Sequence, residues 1–268
     1  MSTQAKGIDT KAALNAWSKQ GFVLLEGIVD SSAAEEVGAT VLKEWNALNA
    51  NGLVFAGGGR QSGHIGCFPG AASSVLVDQL AERGVLTLFD QLVGTPVVLD
   101  GVGCNLNLPG SRVQHYHIDG EFEPQVLVVN IALVDTNLEN GAIDLVPGSF
   151  KKFYRYYDFV TEGLARSAVR CSMRRGDILI RSSAVWHRGM PNLTAVPRPM
   201  MALGYQPPAK ARPSPANFTV HGGRVTFTPN FYDTSIAGRA KEFVFVRVPF
   251  VHSTLRFVKS MMEERRAS

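Results

Sequence analysis

The sequence has few cysteines, no long apolar run and no marked excess of charge of one sign. Its three cysteines, Cys67, Cys104 and Cys171, are an odd number without Cys-x-x-Cys spacing. They argue against a disulfide framework or a zinc knuckle and are typical of a reducing compartment. No apolar run approaches the roughly 18 residues that a membrane helix needs. Because the polar start Met-Ser-Thr-Gln-Ala-Lys-Gly also lacks the apolar core of a secretory leader, we expect a soluble cytoplasmic protein with no membrane partner.

Charge and composition exclude further classes of protein. The 27 lysines and arginines against 23 acidic residues leave a net charge of +4, which is too slight to indicate a nucleic-acid partner. With 45% hydrophobic and 19% charged residues, the chain has the material for a sizeable core and is unlike a disordered protein. Its 268 residues fit one large β-rich domain or two small ones, and we interpret residues 1–268 as one domain. The oligomeric state stays open, with a homodimer as one alternative.

The hydrophobic pattern divides this domain into three parts, at about 1–95, 96–206 and 207–268. The first is predicted to be mainly helical, with helices near 10–19, 31–48 and 74–93, a break near Gly84, a strand at 22–26 and a loop over 49–70. The second holds short β-prone runs between turn signals, at 97–108, 113–118, 126–134, 143–146, 177–181 and 200–205. Such a series indicates a sandwich or barrel, and so the predicted fold is mainly β with a helical N-terminal layer. In the C-terminal extension we expect a helix over 253–265.

The motif His115-Tyr116-His117-Ile118-Asp119 carries the first candidate ligands. In a strand, residues i and i+2 point to the same face, so His117 and Asp119 would present an imidazole and a carboxylate side by side. Alone the motif is weak, because 6 histidines and 23 acidic residues give roughly 0.5 His-x-acid pairs by chance. A hairpin with two polar residues on one face is the simpler explanation of this fragment. His115 is a rival ligand, because it also stands two residues from His117.

Two further features follow along the chain. Gly176-Asp177 precedes the apolar run 178–180, and His187 comes shortly after that predicted strand. Arg198 stands eleven residues beyond His187, just before the next predicted strand. Taken singly, such a histidine is usually structural and such an arginine is usually a surface charge.

Together, these features predict a metal centre. Two imidazoles and one carboxylate form the facial triad of non-haem iron(II) oxygenases, which leaves metal sites open for substrate and oxygen. Because no thiolate is among them, His117, Asp119 and His187 suit Fe(II) better than a structural zinc ion. The guanidinium of Arg198 has the planar geometry that matches a carboxylate.

The ordered set resembles the phytanoyl-CoA dioxygenase-like family of Fe(II)- and 2-oxoglutarate-dependent oxygenases. Residues 131–149 read Ile-Ala-Leu-Val-Asp-Thr-Asn-Leu-Glu-Asn-Gly-Ala-Ile-Asp-Leu-Val-Pro-Gly-Ser and are similar to the family's segment with Leu-x-Asp, Asn-Gly and Pro-Gly-Ser-His. The His-x-Asp motif precedes this segment, and Gly-Asp, a histidine and the arginine follow it, so the resemblance covers residues 22–206. It implies a double-stranded β-helix, the cupin-like jelly roll, with Fe(II), 2-oxoglutarate and O2 as cofactors.

The resemblance also implies residue roles. His117, Asp119 and His187 would hold iron, and Arg198 would bind the distal carboxylate of 2-oxoglutarate. Gln114 matches a position that in relatives often touches this co-substrate. Because related halogenases replace the carboxylate of Asp119 with Gly or Ala, halogenation is not expected here.

Two positions depart from the family pattern. Ile143 stands where some relatives place a threonine that contacts the co-substrate, so that contact is in doubt. Phe150 stands where a histidine commonly ends Pro-Gly-Ser-His, which we interpret as a change in a structural turn.

The substrate pocket is less specified by the sequence. A glycine-rich loop contributes two polar candidates, and adjacency to the predicted iron ligands contributes the others. The candidates are Arg60, His64, His115, Glu121, Phe122 and Trp186. For each of them an ordinary role is the alternative: a solvated loop, a satisfied histidine, or core packing in the case of Trp186.

We therefore expect a dioxygenase that hydroxylates an unactivated C–H bond of a small metabolite, in secondary metabolism, with release of succinate and CO2. Desaturation, cyclisation and demethylation are alternative outcomes of the same chemistry. The rival interpretations are a cupin-like metal oxygenase without 2-oxoglutarate, a non-catalytic jelly-roll binding protein and a hydroxylase of polypeptides. Arg198 argues against the first, and the complete ligand set argues against the second. The lack of a recruitment module argues against the third.

Overall fold

The computed structural model describes residues 7–50, 63–212, 216–227, 235–248 and 250–263. Its helices are α1 (Thr10–Gln20), α2 (Ser31–Ala50), α3 (Ser74–Glu82), α4 (Val85–Val93), α5 (Tyr156–Thr161), α6 (Ile236–Arg247) and α7 (Val251–Met262). Its strands are β1 (Phe22–Leu25), β2 (His64–Phe68), β3 (Val98–Asn107), β4 (Leu127–Ala132), β5 (Ile143–Leu145), β6 (Val169–Cys171), β7 (Ile178–Ser182), β8 (His187–Gly189), β9 (Arg198–Gln206) and β10 (Thr226–Phe227). Short 3-10 turns lie at Ala71–Ser73, Ser149–Lys151, Leu164–Ser167, Pro208–Lys210 and Val220–Gly223.

These strands form two antiparallel sheets that face each other. The large sheet has seven strands in the order β1-β7-β4-β9-β3-β2-β10, and the small sheet has three in the order β6-β5-β8. Between them, Leu179 and Met200 of the large sheet pack in one buried cluster with Ile143 and Leu145 of the small sheet. Two facing antiparallel sheets with helices before them are the predicted jelly roll with its helical N-terminal layer, and this prediction is confirmed.

One face of the large sheet is apolar and is covered by helices. Its residues Val129, Ile180 and Leu203 belong to the same buried cluster as Trp45 of α2 and Phe89 of α4. Each fully buried side chain of this size stabilises the fold by roughly 1.5–3 kcal/mol, so this layer supplies most of the core.

The opposite, inner face of the large sheet carries polar side chains. Strand side chains alternate between faces and cross-strand partners share a face, so the register assigns five buried polar residues to it. They are His64, Asn107, Asn130, Arg181 and Arg198. Burying a polar group costs free energy unless it is hydrogen-bonded, which marks this face as the functional one.

The predicted N-terminal helices form close to their expected bounds. Helix α1 begins after Asp9, whose carboxylate accepts from the amide of Ala12 at 2.9 Å, and it ends at Gly21 with φ of 81°. The predicted break near Gly84 separates α3 from α4, because Gly84 adopts φ of 72°. The C-terminal helix predicted over 253–265 is α7.

Two local predictions are wrong. Residues 113–118 are not a regular strand: within them only His117 forms an isolated bridge, to His187. The predicted loop over 49–70 contains α2 at its start and β2 at its end, and its residues 51–62 lie outside the described part of the chain. Gly66 lowers the strand propensity of β2, but pairing with β3 supplies its hydrogen bonds.

None of the helices in the described residues is both long and apolar enough to cross a bilayer.

Candidate active site

Three predicted ligand atoms converge at one end of the small sheet. Nε2 of His117 lies 3.9 Å from Oδ1 of Asp119, and Nε2 of His187 lies 3.6 Å from the same oxygen. The ligand atoms of the three residues all lie within 4.8 Å of one another, which is close enough for a shared metal ion. The side chains of His117 and Asp119 are 30% and 38% exposed, whereas that of His187 is 7% exposed. The group therefore opens to solvent on the side of His117 and Asp119.

The two imidazoles are held in the form that binds a metal. Nδ1 of His117 lies 2.7 Å from the carbonyl of His115, and Nδ1 of His187 lies 2.9 Å from the carbonyl of Val185. A carbonyl only accepts, so Nδ1 of each ring carries the proton and Nε2 presents its lone pair. Burial lowers the pKa of His117 and lowers the pKa of His187 to about 3, which keeps both rings neutral.

Arg181 fixes the carboxylate of Asp119. Its Nη2 donates to Oδ2 of Asp119 at 2.6 Å, which leaves Oδ1 to face the histidines. Burial opposes ionisation of Asp119, but Arg181 and then the two imidazoles hold the pKa of this carboxyl well below its usual range. Nε of Arg181 donates to Asn130 at 3.3 Å, so the guanidinium is anchored to the large sheet. We did not predict a role in the site for Arg181 or Asn130. The charged residue at the end of the apolar run 178–181 could have indicated one for Arg181.

The backbone explains how the ligands meet without a regular strand at 113–118. His117 and His187 exchange both amide–carbonyl bonds, at 3.0 and 2.9 Å, so their side chains are cross-strand neighbours. The hydroxyl of Ser149, in the Pro-Gly-Ser turn, accepts from the amide of Trp186 at 2.9 Å and so fixes the start of β8. Phe150, which replaces the family histidine, packs on Trp17 with ring centroids 6.0 Å apart.

Arg198 is a buried cation without an anionic partner among the described residues. It is 2% exposed, and its Nη2 donates to the carbonyl of Gly141 at 3.0 Å. Its Nε and Nη1 are buried and have no hydrogen-bond partner in the described part of the chain. Burial lowers the pKa of Arg198 to about 10, so the guanidinium stays charged at neutral pH. Buried charges are normally paired, so the orphaned donors fit a carboxylate ligand.

His64 and Asn107 stand beside Arg198. Cross-strand register pairs His64 with Asn107 and Asn107 with Arg198, which puts the three side chains in one row. Nδ2 of Asn107 donates to the carbonyl of Met190 at 2.9 Å, while its Oδ1 is buried without a partner in the described residues. Burial lowers the pKa of His64 to about 4, although the hydrogen bond to the carbonyl of Arg112 acts in the opposite direction and raises it.

Gln114 and Gly189 lie beside His64, on the side of this row where β8 carries the metal ligand His187. Oε1 of Gln114 accepts from the amide of Gly189 at 2.8 Å. A Cβ at Gly189 would lie 2.7 Å from that oxygen and 2.9 Å from Cε1 of His64, so a side chain at this position would displace both. The predicted co-substrate residue Gln114 therefore touches the strand that carries His187.

The Asn-Gly turn orients Arg198. Gly141 adopts φ of 89°, and a Cβ there would come within 2.2 Å of the Asn107 amide. Asn140 holds the turn by donating to the carbonyl of Asp135 at 2.6 Å. The turn thus presents the Gly141 carbonyl to the guanidinium.

His115 points away from the metal ligands, toward the C-terminal helix α7. Its ring stacks on that of His252, with centroids 4.0 Å apart and planes 18° apart, and its Nδ1 lies 3.3 Å from the hydroxyl of Ser253. The pKa of His115 is lowered to about 4. Burial is the main cause, and the neighbouring His252 and Arg256 lower it further. His115 is not part of the cluster of metal-ligand atoms among the described residues.

The remaining pocket candidates lie in different surroundings. Trp186 is 3% exposed and stacks on Phe159 with centroids 4.2 Å apart, an environment that fits the core-packing alternative. Phe122 meets Phe153 edge-on at 5.9 Å, and Glu121 is exposed beside it. Arg60 lies outside the described residues. A substrate role for these residues stays a prediction.

Comparison with known proteins identifies the class and then the family. Together with the family match that follows, the jelly roll and its His-Asp-His cluster define the class of iron- and 2-oxoglutarate-dependent oxygenases. Within that class, the model of the phytanoyl-CoA dioxygenase (PhyH) family matches residues 17–200, and this chain belongs to that family. The predicted family resemblance is confirmed.

Individual relatives are more distant. Dioxygenase lolE1 from Epichloe uncinata is 29% identical over 128 residues, which cover 44% of this chain and 49% of that protein. This chain therefore matches about half the length of that relative.

Solved structures share the fold. The epimerase SnoN in complex with Fe3+, alpha ketoglutarate and nogalamycin RO superposes with a TM-score of 0.61 at 20% identity, covering 81% of this chain and 98% of that one. EctD from S. alaskensis with 2-oxoglutarate and 5-hydroxyectoine gives a TM-score of 0.59 at 18% identity, covering 84% and 87%.

Proposed function

We propose that this protein is an Fe(II)- and 2-oxoglutarate-dependent dioxygenase that hydroxylates an unactivated C–H bond of a small metabolite. The observation that carries the proposal is the pairing of two features in the space between the two sheets. Two neutral imidazole nitrogens and a carboxylate oxygen converge, and a buried arginine with orphaned donors, Arg198, stands beyond them. The first feature suits iron, and the second suits a dicarboxylic co-substrate.

The metal ligands in this proposal are His117, Asp119 and His187. Both imidazoles present unprotonated Nε2 atoms, so neither needs to lose a proton before it binds a metal. Arg181 takes one carboxylate oxygen of Asp119 and leaves the other for the metal. Three protein ligands leave open positions for a co-substrate and for oxygen.

Arg198 binds the distal carboxylate of 2-oxoglutarate through the orphaned Nε and Nη1 donors. Gln114 accepts from the amide of Gly189, which stands two residues after the proposed ligand His187. We extend the co-substrate pocket to His64 and Asn107, which share the row with Arg198. His64, expected to meet the primary substrate, is therefore reassigned in this proposal to the co-substrate.

Bound iron and 2-oxoglutarate together supply the O2-derived oxidant that removes a substrate hydrogen, with release of succinate and CO2. The chain's own residues orient this chemistry. Asp119 and the two histidines fix the metal, while Arg198 fixes the far end of the co-substrate. Met200 of the large sheet and Leu145, which is paired with His187, belong to one buried cluster between the sheets and would help to keep water away from the reacting groups.

Hydroxylation is the outcome we propose as the default of this chemistry, and the carboxylate of Asp119, which occupies the position that halogenases leave free, argues against halogenation. A role in secondary metabolism is supported by SnoN and the carbocyclase SnoK, both described as proteins of nogalamycin biosynthesis. Product analysis by mass spectrometry distinguishes hydroxylation, a gain of one oxygen, from desaturation, a loss of two hydrogens. A cytoplasmic location stays our prediction from the cysteines.

Anaerobic titration of the purified apoprotein tests the cofactors directly. Fe(II) is added first and 2-oxoglutarate second, and the weak visible charge-transfer band of the chelate is recorded. We expect a band that saturates near one equivalent of iron. Iron binding without the band would favour a cupin-like oxygenase that does not use 2-oxoglutarate, and no iron binding would favour a non-catalytic binding protein.

A further inference from the structure

We propose that a groove on the inner face of the large sheet binds the primary substrate, and that this substrate is a neutral, ring-shaped, largely apolar molecule with a hydrogen-bonding group. The floor of the groove is formed by Gly66 of β2, Gly103 of β3 and Ala202 of β9, and its volume is about 410 Å³. We call it the glycine groove. The inference rests on the proposed function, since it takes the groove to serve the oxygenase site.

The glycine groove adjoins both halves of the candidate active site. Asn105, in its lining, stands two residues from Asn107 on the same face of β3, about 7 Å away along the strand, and Asn107 is opposite Arg198. Ala202 is paired with Asn130 of the next strand, about 5 Å away. Asn130 in turn accepts from Arg181, which holds Asp119. A molecule in the groove therefore lies on the inner face that carries Arg198 and Arg181, the two residues that contact the proposed co-substrate and the proposed ligand Asp119.

The backbone does not require glycine at Gly103. Its φ is not positive, and an added Cβ would meet only the carbonyl oxygens of Ala202 at 3.7 Å and Cys67 at 3.8 Å, which are ordinary contacts. Glycine inside a strand costs roughly 0.5–1 kcal/mol relative to alanine. Gly101, two residues earlier on the same face, is likewise free of a positive φ, and an added Cβ there would meet the backbone of Gly204 at 3.5–3.6 Å, which are also ordinary contacts. At Gly103 the missing side chain leaves the groove open, as expected where a ligand approaches the strand.

The groove walls indicate the chemistry of the ligand. Phe68 and Val220 supply apolar surface, and Asn105 and His221 supply hydrogen-bonding groups. The described lining contains no Asp, Glu, Lys or Arg, so it offers no partner for a charged ligand. His221 adopts φ of 53°, rare for a residue other than glycine, and its ring lies 5.9 Å from that of Phe68.

Shape and size agree with these walls. Because the three floor positions carry at most a methyl group, the floor is flat and suits the face of a ring system. A volume of 410 Å³ lies in the range of small-molecule pockets and suits two or three fused rings. These features together define the proposed substrate class.

Filling the groove tests the proposal, with 2-naphthol as a planar neutral probe. Its dissociation constant is measured by saturation-transfer NMR with the full-length protein and with the variant Gly103→Val. We expect the variant to bind 2-naphthol at least roughly tenfold more weakly, the usual cost of a misplaced methyl-sized group in an apolar pocket. Its Tm should be unchanged or higher, because valine favours a strand and the added Cβ meets no clash.

Gly101→Val is the matched control, since it makes the same change on the same strand and face outside the groove lining. It should retain 2-naphthol binding. The proposal is overturned if the wild type does not bind 2-naphthol or if Gly103→Val binds it equally well.

The iron and 2-oxoglutarate titration on the same proteins separates this inference from the proposed function. We expect the charge-transfer band in the wild type and in Gly103→Val, whose substitution lies outside the metal ligands. A band in both proteins with equal naphthol binding rejects the groove and leaves the oxygenase assignment standing. The absence of the band in the wild type rejects the oxygenase assignment, whether or not 2-naphthol binds.

Discussion

The guanidinium of Arg181 donates to the carboxylate of Asp119 at 2.6 Å, so a buried arginine of the large sheet holds the one acidic group of the candidate metal site. The arginine side chain is 5% exposed, whereas that of the aspartate is 38% exposed. The buried partner, which also donates to Asn130, therefore orients the more accessible one. This relationship links the large sheet to the segment that carries His117 and Asp119, at the point where the proposed metal binds.

Removing the arginine should weaken iron binding. In Arg181→Gln, Asp119 loses its charged partner and is free to rotate, so we expect Fe(II) affinity to fall by about 10–100-fold. Anaerobic Fe(II) titration gives the dissociation constant. Arg175→Gln is the control, because it removes an arginine paired with Glu35 on the surface. Equal affinities of Arg181→Gln and wild type would contradict the positioning role.

A pair of variants tests the proposed ligand set, which includes His187 and excludes His115, the rival of His117. His187→Ala should abolish stoichiometric Fe(II) binding, because it removes one of three converging donors. His115→Ala should retain it, because that ring stacks on His252 instead. Metal content after anaerobic loading and desalting is the measurement, and circular dichroism checks that both variants fold. Iron retained by His187→Ala and lost by His115→Ala would reverse the ligand assignment.

We expect Arg198 to affect the binding of 2-oxoglutarate and not the binding of iron. Arg198→Ala removes the only guanidinium in the row with His64 and Asn107, so the concentration of 2-oxoglutarate needed for half-saturation of the chelate band should rise by about 100-fold or more. The Fe(II) dissociation constant should stay within about twofold of wild type. Arg198→Lys, which keeps the charge but not the planar geometry, should fall between the two. An unchanged 2-oxoglutarate requirement in Arg198→Ala would reject this role.

Buried His64 should make the apoprotein less stable in acid. Its pKa is lowered from 6.5 to about 4, chiefly by burial, so between these values the unfolded chain binds more protons than the folded one. Stability therefore decreases as pH falls from 6.5 to 4, by up to about 3 kcal/mol from this residue. His64→Gln, which does not titrate, should show a flatter decline. Chemical denaturation of both proteins at pH 7 and pH 4.5 measures the difference, and parallel curves would refute the assignment.

The sequence predicted those elements whose signal is local. The apolar runs of β4, β7 and β9 and the break at Gly84 follow from periodicity and from glycine. The ligand triad was predicted from the order of several weak motifs, although the strand argument for residues 113–118 was wrong. His117 and His187 are neighbours through their mutual backbone bonds, which a single-strand pattern does not contain.

Contacts between distant positions could not be predicted. Arg181 and Asp119 are 62 residues apart, and His115 and Ser253 are 138 residues apart. No local pattern links such partners, because the sheet order and the fold of the C-terminal segment bring them together. The role of α7 beside the His-x-Asp motif was missed for this reason.

Substitutions on the two faces of the large sheet have different consequences. Substitutions on the helix-covered face disturb Val129, Leu203 and Phe89 and so threaten the fold itself. Substitutions at Gly103 or Ala202, on the other face, alter the shape of a groove without touching that layer. Under the proposed role of the groove, a lineage or a designer could therefore exchange one substrate for another at these floor positions while the scaffold and the metal ligands stay the same.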